Sequence, residues 1–359
     1  MNKNKLAIFG GKKIRNKPMP FRKAFGNKEI QSLKDTIKHY KLKKIDPKYK
    51  GFFEKKFCDN YSKYMGGGNT IVVSTGTASI FIALQSFFLP KKSEVIISPF
   101  NEPGPLSCLY ILGLRPVVAD VEFGRLNCNY KQIKKKITKN TKAVIIVHSG
   151  GEPAKIQHIS TELRKRKIKL IEDCSQASGG TFKGKMLGKF GDISAVSTMF
   201  SKNLMMGGSG GIVYTKNKKF FKKIIAYSDR GKPIWKKNLE TRDPSQFLFP
   251  ALNWNSNEFS SSVGLASLKR LNDTIKKRVK FINYLSNKLK KESKICRSYD
   301  FSKGSAPYFL PIWVRTDKIK CSKITFAKAV RAEGISLNPH YKFLCNDWPW
   351  ARNIFKKKN

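Results

Sequence analysis

Between about residues 70 and 215, short apolar runs alternate with stretches of helical periodicity, and this alternation constrains the fold more than any other feature. Ile71-Val-Val-Ser74 reads as a strand, and Ala78-Ser-Ile-Phe-Ile-Ala-Leu84 opens a helix. Val95-Ile-Ile97, Pro116-Val-Val118, Ala143-Val-Ile-Ile-Val147 and Lys169-Leu-Ile171 follow as buried strands. Ile193 to Ser197 and Ile212 to Thr215 add two more. Near-continuous apolar strands joined by helical crossovers are covered on both faces. The pattern therefore predicts a three-layer α/β/α domain around a mostly parallel sheet.

A second region begins near residue 256. Leu265, Leu268, Leu271, Ile275, Val279, Ile282, Leu285 and Leu289 recur at steps of three and four, which predicts one long amphipathic helix. Pro307 to Val314 then reads as a strand and Ile324 to Arg331 as a helix, giving a smaller α+β C-terminal domain. Residues 1–50 are basic and show few periodic signals, so an arm packed on the large domain is expected. The resulting division is an N-terminal arm (1–50), a large domain (51–250) and a small domain (251–359).

No apolar run is long enough to span a bilayer, and the opening Met1 to Gly10 holds only a four-residue apolar stretch, too short for a signal peptide. A cytoplasmic location is expected. The seven cysteines form no CxxC pair and are odd in number, which suits reduced thiols. With four histidines, a His-rich metal site is not expected. The formal charge of +48 would attract nucleic acid or phosphorylated substrates. Its lysines are nevertheless spread along the chain in short runs such as Lys134-Lys-Lys136, without interleaved arginine and aromatics. Solvated lysine faces are the plainer reading, so neither a nucleic-acid nor a membrane partner is expected.

The chemistry centres on Lys202, in Ser197-Thr-Met-Phe-Ser-Lys202-Asn203, just before Gly207-Gly-Ser-Gly-Gly211. About thirty residues earlier, Ile171-Glu-Asp173 is an apolar strand ending in an acid. A lysine in a tight loop downstream of a strand-end aspartate suits a pyridoxal phosphate enzyme. The amine condenses with the cofactor aldehyde, and the carboxylate keeps the pyridine nitrogen protonated. Taken alone, Asp173 could equally cap a following helix. In Ser74-Thr-Gly76-Thr77-Ala78, small residues at a helix start let amides approach a phosphate, although an ordinary N-cap looks the same. Ser197 could add its hydroxyl to that phosphate or be a plain strand-end serine.

In this order the residues resemble the DegT/StrS family of sugar aminotransferases, pyridoxal phosphate enzymes of fold type I. The resemblance runs from about residue 5 to 345. It rests on Leu6-Ala-Ile-Phe-Gly-Gly11, Ser74 to Ala78, Arg115 to Val121 and Val147-His-Ser-Gly-Gly-Glu-Pro-Ala154. Ile171-Glu-Asp-Cys-Ser-Gln-Ala177, Lys183 to Asp192 and Ser228-Asp-Arg-Gly-Lys-Pro233 also match. The resemblance implies that Lys202 links to the cofactor and shuttles the proton, that Asp173 pairs with the ring nitrogen, and that Gln176 lies against the ring or its 3′-oxygen. Gly76, Thr77 and Ser197 would hold the phosphate. In Leu252-Asn-Trp-Asn-Ser-Asn-Glu258, Asn253 or Asn255 would reach the phosphate of a neighbouring subunit, which implies a homodimer with shared active sites.

Three positions depart from the family pattern. Glu102 stands where an aromatic residue usually stacks on the ring, Asn255 where arginine is common, and Ser209 where an acid is usual. The chain ends soon after Trp348-Pro-Trp350, where members usually continue through a closing helix, so a shortened small domain is expected. His340 and Tyr341 fall where a family segment approaches the substrate. Relatives that deoxygenate sugars replace the lysine with histidine, so Lys202 favours transamination. The implied reaction moves an amino group from glutamate or glutamine to a nucleotide-linked keto sugar or a keto-cyclitol. A cofactor-binding relative with a regulatory or scaffold role is the alternative.

Overall fold

The computed structural model describes residues 5–22, 24–339, 344–345 and 347–356. Seven strands form the central sheet: β1 (Asn69–Val73), β2 (Glu94–Ile97), β3 (Arg115–Val118), β4 (Thr141–Val147), β5 (Lys169–Asp173), β8 (Ile193–Ser197) and β9 (Gly211–Thr215). Between β5 and β8 lies a two-residue-arm hairpin of β6 (Thr181–Phe182) and β7 (Lys185–Met186). The order across the sheet is β1-β9-β8-β5-β4-β2-β3. Only β9 runs against its neighbours, antiparallel to both β1 and β8, and the remaining pairs are parallel.

Alternate residues of each strand feed opposite faces. Val72, Ile96, Val144, Ile146, Leu170, Val196 and Ile212 join Phe57 and Tyr61 in one core cluster. Ile71, Val95, Ile97, Ile145, Ile171, Ala195 and Val213 join Ile82 and Leu106 in the other. Both faces are apolar because both are covered, which is why the strands read as continuous hydrophobic runs. The covering helices of this region are α2 (Phe52–Tyr64), α3 (Gly76–Ser86), α4 (Pro103–Ile111), α5 (Tyr130–Lys134), α6 (Ile156–Lys165) and α7 (Lys218–Ser228).

The N-terminal segment, expected as an arm, holds a helix. It contains α1 (Asn27–Lys43), whose start is closed by the Glu29 carboxylate accepting the Gly26 N–H at 2.9 Å. Its buried residues are Glu29, Thr36 and Tyr40, whereas Ile30 and Ile37 face outward. The helix docks by polar bonds: Ser32 Oγ to the Ser262 carbonyl at 2.7 Å, and the Tyr40 hydroxyl to Glu258. Ile30, Leu33, Ile37 and Tyr40 recur at steps of three and four, yet Ile30 and Ile37 lie exposed, so this stripe is only partly packed against the chain.

The single long helix expected after residue 256 is two, α8 (Glu258–Lys269) and α9 (Leu271–Glu292). Arg270 interrupts them with φ −101° and ψ 1°, its side chain held by Glu29 and the Ala24 carbonyl, each at 2.8 Å. One non-helical residue interrupts the helix without disturbing the three-and-four spacing, so the pattern runs through the break unmarked. Beyond α9 come β10 (Cys296–Ser298) antiparallel to β11 (Ile312–Val314), then α10 (Lys323–Ala332) and α11 (Pro349–Lys356). The expected strand Pro307–Val314 is thus only its last three residues. Residues 306–308 instead bond across to Gly150 and Gly151, with Ala306 N–H on Gly151 O and Tyr308 N–H on Gly150 O, both at 2.9 Å.

Candidate active site

Because β9 reverses between β1 and β8, strands β1, β8 and β5 all point the same way, together with β4 and β2. The residues that follow their C-terminal ends therefore converge at one edge of the sheet, where open parallel sheets place ligands. Gly76 follows β1, Glu102 follows β2, Gly150 follows β4, Asp173 ends β5, and Ser197 and Lys202 end and follow β8.

At the first of these ends, Thr75 is the N-cap of α3, its Oγ1 accepting the Ala78 N–H at 2.9 Å. The Ser79 N–H bonds the Thr75 carbonyl. The Gly76 and Thr77 amides thus stand at the open end of the helix, before any intrahelical acceptor, where anions bind. Glycine is required here by close approach: a Cβ on Gly76 would lie 2.4 Å from Ser197 Cβ, and one on Gly211 would lie 2.1 Å from the Thr75 carbonyl oxygen. Ser197 is itself fixed by its N–H on Ser175 Oγ at 2.8 Å, and Ser209 by its hydroxyl on the Ser74 carbonyl at 2.8 Å.

Neighbouring acids at the end of β5 have different surroundings. Glu172 is fully buried and accepts the amides of Gly188, Phe190 and Gly191 at 2.9, 2.7 and 2.6 Å, so it holds the turn that leads into β8. His148 Nε2 lies 3.2 Å from the same carboxylate, while Nδ1 accepts the Ala154 N–H at 3.1 Å, which makes Nε2 the protonated nitrogen. Cys174 completes a tight group with these two, its thiol pushed well above the usual range by burial. Each member is committed to a structural bond, and the group reads as a buried knot. Asp173 caps no helix. Its Oδ1 accepts only the Ser175 N–H at 2.9 Å among the bonds described, and it lies almost wholly buried at the strand end. Gln176 Oε1 accepts the Gly150 N–H at 2.7 Å.

The Lys202 side chain is buried, with Nζ 4.5 Å from the centroid of the Tyr308 ring. The Tyr308 hydroxyl bonds Ser201 Oγ at 2.8 Å, and its carbonyl accepts Arg278 Nη1 at 2.8 Å. Asn203 Nδ2 reaches the Ala306 carbonyl at 3.0 Å, and the Arg22 guanidinium bonds the Phe200 and Lys202 carbonyls. The lysine loop is therefore gripped by residues 306–308 and by the N-terminal segment. Sequence reasoning did not find Tyr308, Arg22 or Arg278, since no local pattern marks a contact made across such separations.

Glu102 is an exposed N-cap of α4, and beside it Asn101 is buried with an unpartnered Nδ2. Asn253 and Asn255 lie beside the end of β1, where Asn255 bridges Val73 and the Ser74 N–H bonds the Trp254 carbonyl at 2.9 Å. Asn255 Nδ2 bonds Asn253 Oδ1 at 2.8 Å, Lys50 Nζ bonds Asn255 Oδ1 at 2.6 Å, and Lys50 lies 3.8 Å from Asp229. Neither asparagine bonds the Gly76, Thr77 and Ser197 group of its own chain among the described residues. Arg230 is tied to Asp229 at 2.8 Å. His340 and Tyr341 lie outside the described residues.

The group that these residues suit is a phosphorylated pyridine aldehyde. It asks for open amides in a cradle that a side chain would fill, a buried carboxylate and an unbonded buried amine, and Gly76, Thr77, Asp173 and Lys202 meet those demands.

Comparison with known proteins agrees with that chemistry. The model of the DegT/DnrJ/EryC1/StrS aminotransferase family matches residues 24–359. The chain is 31% identical to the spore coat polysaccharide biosynthesis protein SpsC of Bacillus subtilis over 70% of its own length, a match that spans 64% of that relative. It is 23% identical to a putative L-glutamine:3-amino-2,3-dideoxy-scyllo-inosose aminotransferase of Micromonospora echinospora, over 99% of this chain and 86% of that one. The solved aminotransferase of Psychrobacter cryohalolentis superposes with a TM-score of 0.78 at 25% identity, covering 87% of this chain and 81% of that one. The chain belongs to the DegT/DnrJ/EryC1/StrS aminotransferase family, enzymes that work with pyridoxal phosphate.

Proposed function

We propose that this aminotransferase moves an amino group from glutamate or glutamine to a keto sugar, nucleotide-linked, or to a keto-cyclitol. The observation that carries the reading is Lys202, a buried amine beside an aromatic face at the sheet edge that also presents Asp173 and the Gly76–Ser197 cradle. The relatives support a sugar or cyclitol acceptor, since one is named for polysaccharide biosynthesis and another for an inosose.

In this reading the Gly76 and Thr77 amides and the Ser197 hydroxyl bind the phosphate. Asp173 holds a proton on the ring nitrogen, which lets the bound cofactor draw electrons from the substrate carbon. Gln176, braced by the Gly150 amide, orients the ring. Lys202 Nζ moves the proton between substrate carbon and cofactor carbon, and the Tyr308 ring keeps that amine in place. Asn253 and Asn255, uncommitted to their own cradle, serve the cradle of a second copy, so the working unit is a homodimer.

Purified protein should absorb near ~420 nm through the lysine–cofactor linkage, and the band should be absent from Lys202→Ala. Glutamate or glutamine should discharge it, and a keto sugar or keto-cyclitol should restore it. A wild-type protein that takes up pyridoxal phosphate without the band would instead be a non-catalytic relative.

A further inference from the structure

The block Lys183 to Asp192 takes no part in the chemistry proposed for Lys202. It forms the turn of the β6–β7 hairpin and the approach to β8, and it walls a cavity of about 360 Å³ against α6. Cavities of this size hold small molecules. Arg164, Lys183 and Lys185 line it together with the Phe182 and Phe190 rings, and no acidic side chain does. An adjoining cavity of about 230 Å³ shares Ser160, Arg164 and Phe190 and reaches Leu170 and Asp192. Those last two residues stand at the starts of β5 and β8, whereas Lys202 follows the far end of β8. The groove is therefore separate from the Lys202 site.

Its frame is fixed, while its charges are not spent. Ser160 Oγ donates to the Phe190 carbonyl at 2.6 Å, and Glu172 accepts the Phe190 N–H at 2.7 Å. Among the described residues the Arg164 guanidinium reaches only Ser160 Oγ, at 3.4 Å, and none of the three cations forms an ion pair. The one acid of α6, Glu162, is answered by Lys165 at 2.7 Å. The crowding of cations continues past the cavity, where burial, then Lys216 and Lys185, lowers the proton affinity of Lys189. Like charges gathered in a cleft without a counter-charge favour a bound anion. Lys185 Nζ covers the Phe190 ring, 4.4 Å from its centroid. Phe182 is half-buried and meets Phe190 edge-on at 6.1 Å, which leaves its ring as the apolar wall beside the cations.

We propose that this groove binds a phosphate monoester, with the phosphate on Arg164, Lys183 and Lys185 and the sugar or base ring on Phe182. A sugar phosphate and a nucleotide share that chemistry. The site stands on the cavity and its lining and does not depend on the reaction at Lys202.

The test is calorimetric titration of the holoenzyme with methyl phosphate, glucose 1-phosphate and uridine monophosphate, which carry the same phosphate and differ in the organic part. At least one ring-bearing ester should bind about fivefold or more tightly than methyl phosphate, and the tighter of the two identifies the source. Phe182→Leu should remove that advantage. Arg164→Gln, and Lys183→Gln combined with Lys185→Gln, should each weaken ester binding about fivefold or more. A second measurement needs no variant: amine acetylation of wild type, mapped by peptide mass spectrometry. The bound ester should protect Lys183 and Lys185 and leave the exposed Lys288 as reactive as before. The proposal is overturned if no ester binds, if methyl phosphate binds as tightly as both others, if the Gln variants bind as wild type, or if labelling of the two lysines is unchanged. The visible band recorded on the same samples keeps the readings apart. Its absence from wild type sinks the aminotransferase reading alone, and its persistence in the Gln variants shows that the lost binding was not at Lys202.

Discussion

Gly76→Ala tests how the phosphate cradle is assembled. The new Cβ would lie 2.4 Å from Ser197 Cβ, 2.9 Å from Ser197 Cα and 3.0 Å from Ser197 Oγ. Carbon atoms pack comfortably at about 3.5–4.0 Å, so α3 and the end of β8 must part by roughly 1 Å or more. Overpacking of this kind costs about 1–3 kcal/mol. Gly76 opens a helix, and helix propensity alone would favour alanine by about 1 kcal/mol. Set against the propensity, the clash leaves a net loss of up to about 2 kcal/mol in urea unfolding of the cofactor-free protein. The Gly76 amide and the Ser197 hydroxyl also move apart, and losing one bond to a charged phosphate weakens cofactor affinity by about 1.5–3 kcal/mol, tenfold or more by equilibrium dialysis. Adding Ser197→Gly removes the Cβ that is struck. The double variant should therefore be more stable than Gly76→Ala alone while still binding the cofactor weakly. Wild-type stability and affinity in Gly76→Ala, or no recovery in the double variant, would refute the argument.

Glu172→Ala strands three amides, those of Gly188, Phe190 and Gly191, and should cost on the order of 3–5 kcal/mol in denaturant unfolding. A variant within 1 kcal/mol of wild type, by that same estimate, would show that Glu172 does not hold the turn. Glu54 is raised to about 7 by burial, against an ordinary 4.5, even though Lys50 and the Lys50 amide pull it down. The folded protein thus keeps a proton that the unfolded chain releases. The contribution is fully present below 4.5 and is lost as pH rises through about 7, by up to about 3 kcal/mol. Unfolding free energies measured at about pH 5 and pH 8 should converge in Glu54→Gln, and an equal fall in wild type and variant would contradict this account.

Much of the large domain was legible because its strands are buried on both faces, so that Ile71–Val73, Ala143–Val147 and Ile193–Ser197 stand out as apolar runs. Helix α1 was not picked out although Ile30, Leu33, Ile37 and Tyr40 carry a helical spacing, and the polar bonds that dock it to α8 join residues distant in the chain. Neither was the break at Arg270, where the spacing carries on through a non-helical residue. At the site, Gly76, Asp173, Ser197 and Lys202 could be picked out because each ends or follows a recognisable strand. Which residue caps α3 was left open by the sequence, and only the bond from the Ala78 N–H to Thr75 Oγ1 assigns it.

The sequence by itself determined the order of elements, the strand ends and the kinds of side chain placed there, since alternation and helical spacing are properties of neighbouring residues. It also carried family membership, through motifs that are local. Only the tertiary structure decided that these ends share one edge, because the reversed β9 sets β1 parallel to β8. It likewise decided that Tyr308 faces Lys202 and that Arg22 bonds the Lys202 carbonyl across 180 residues of chain. Such contacts depend on how the sheet is ordered and how distant segments close over it, and no local periodicity encodes that.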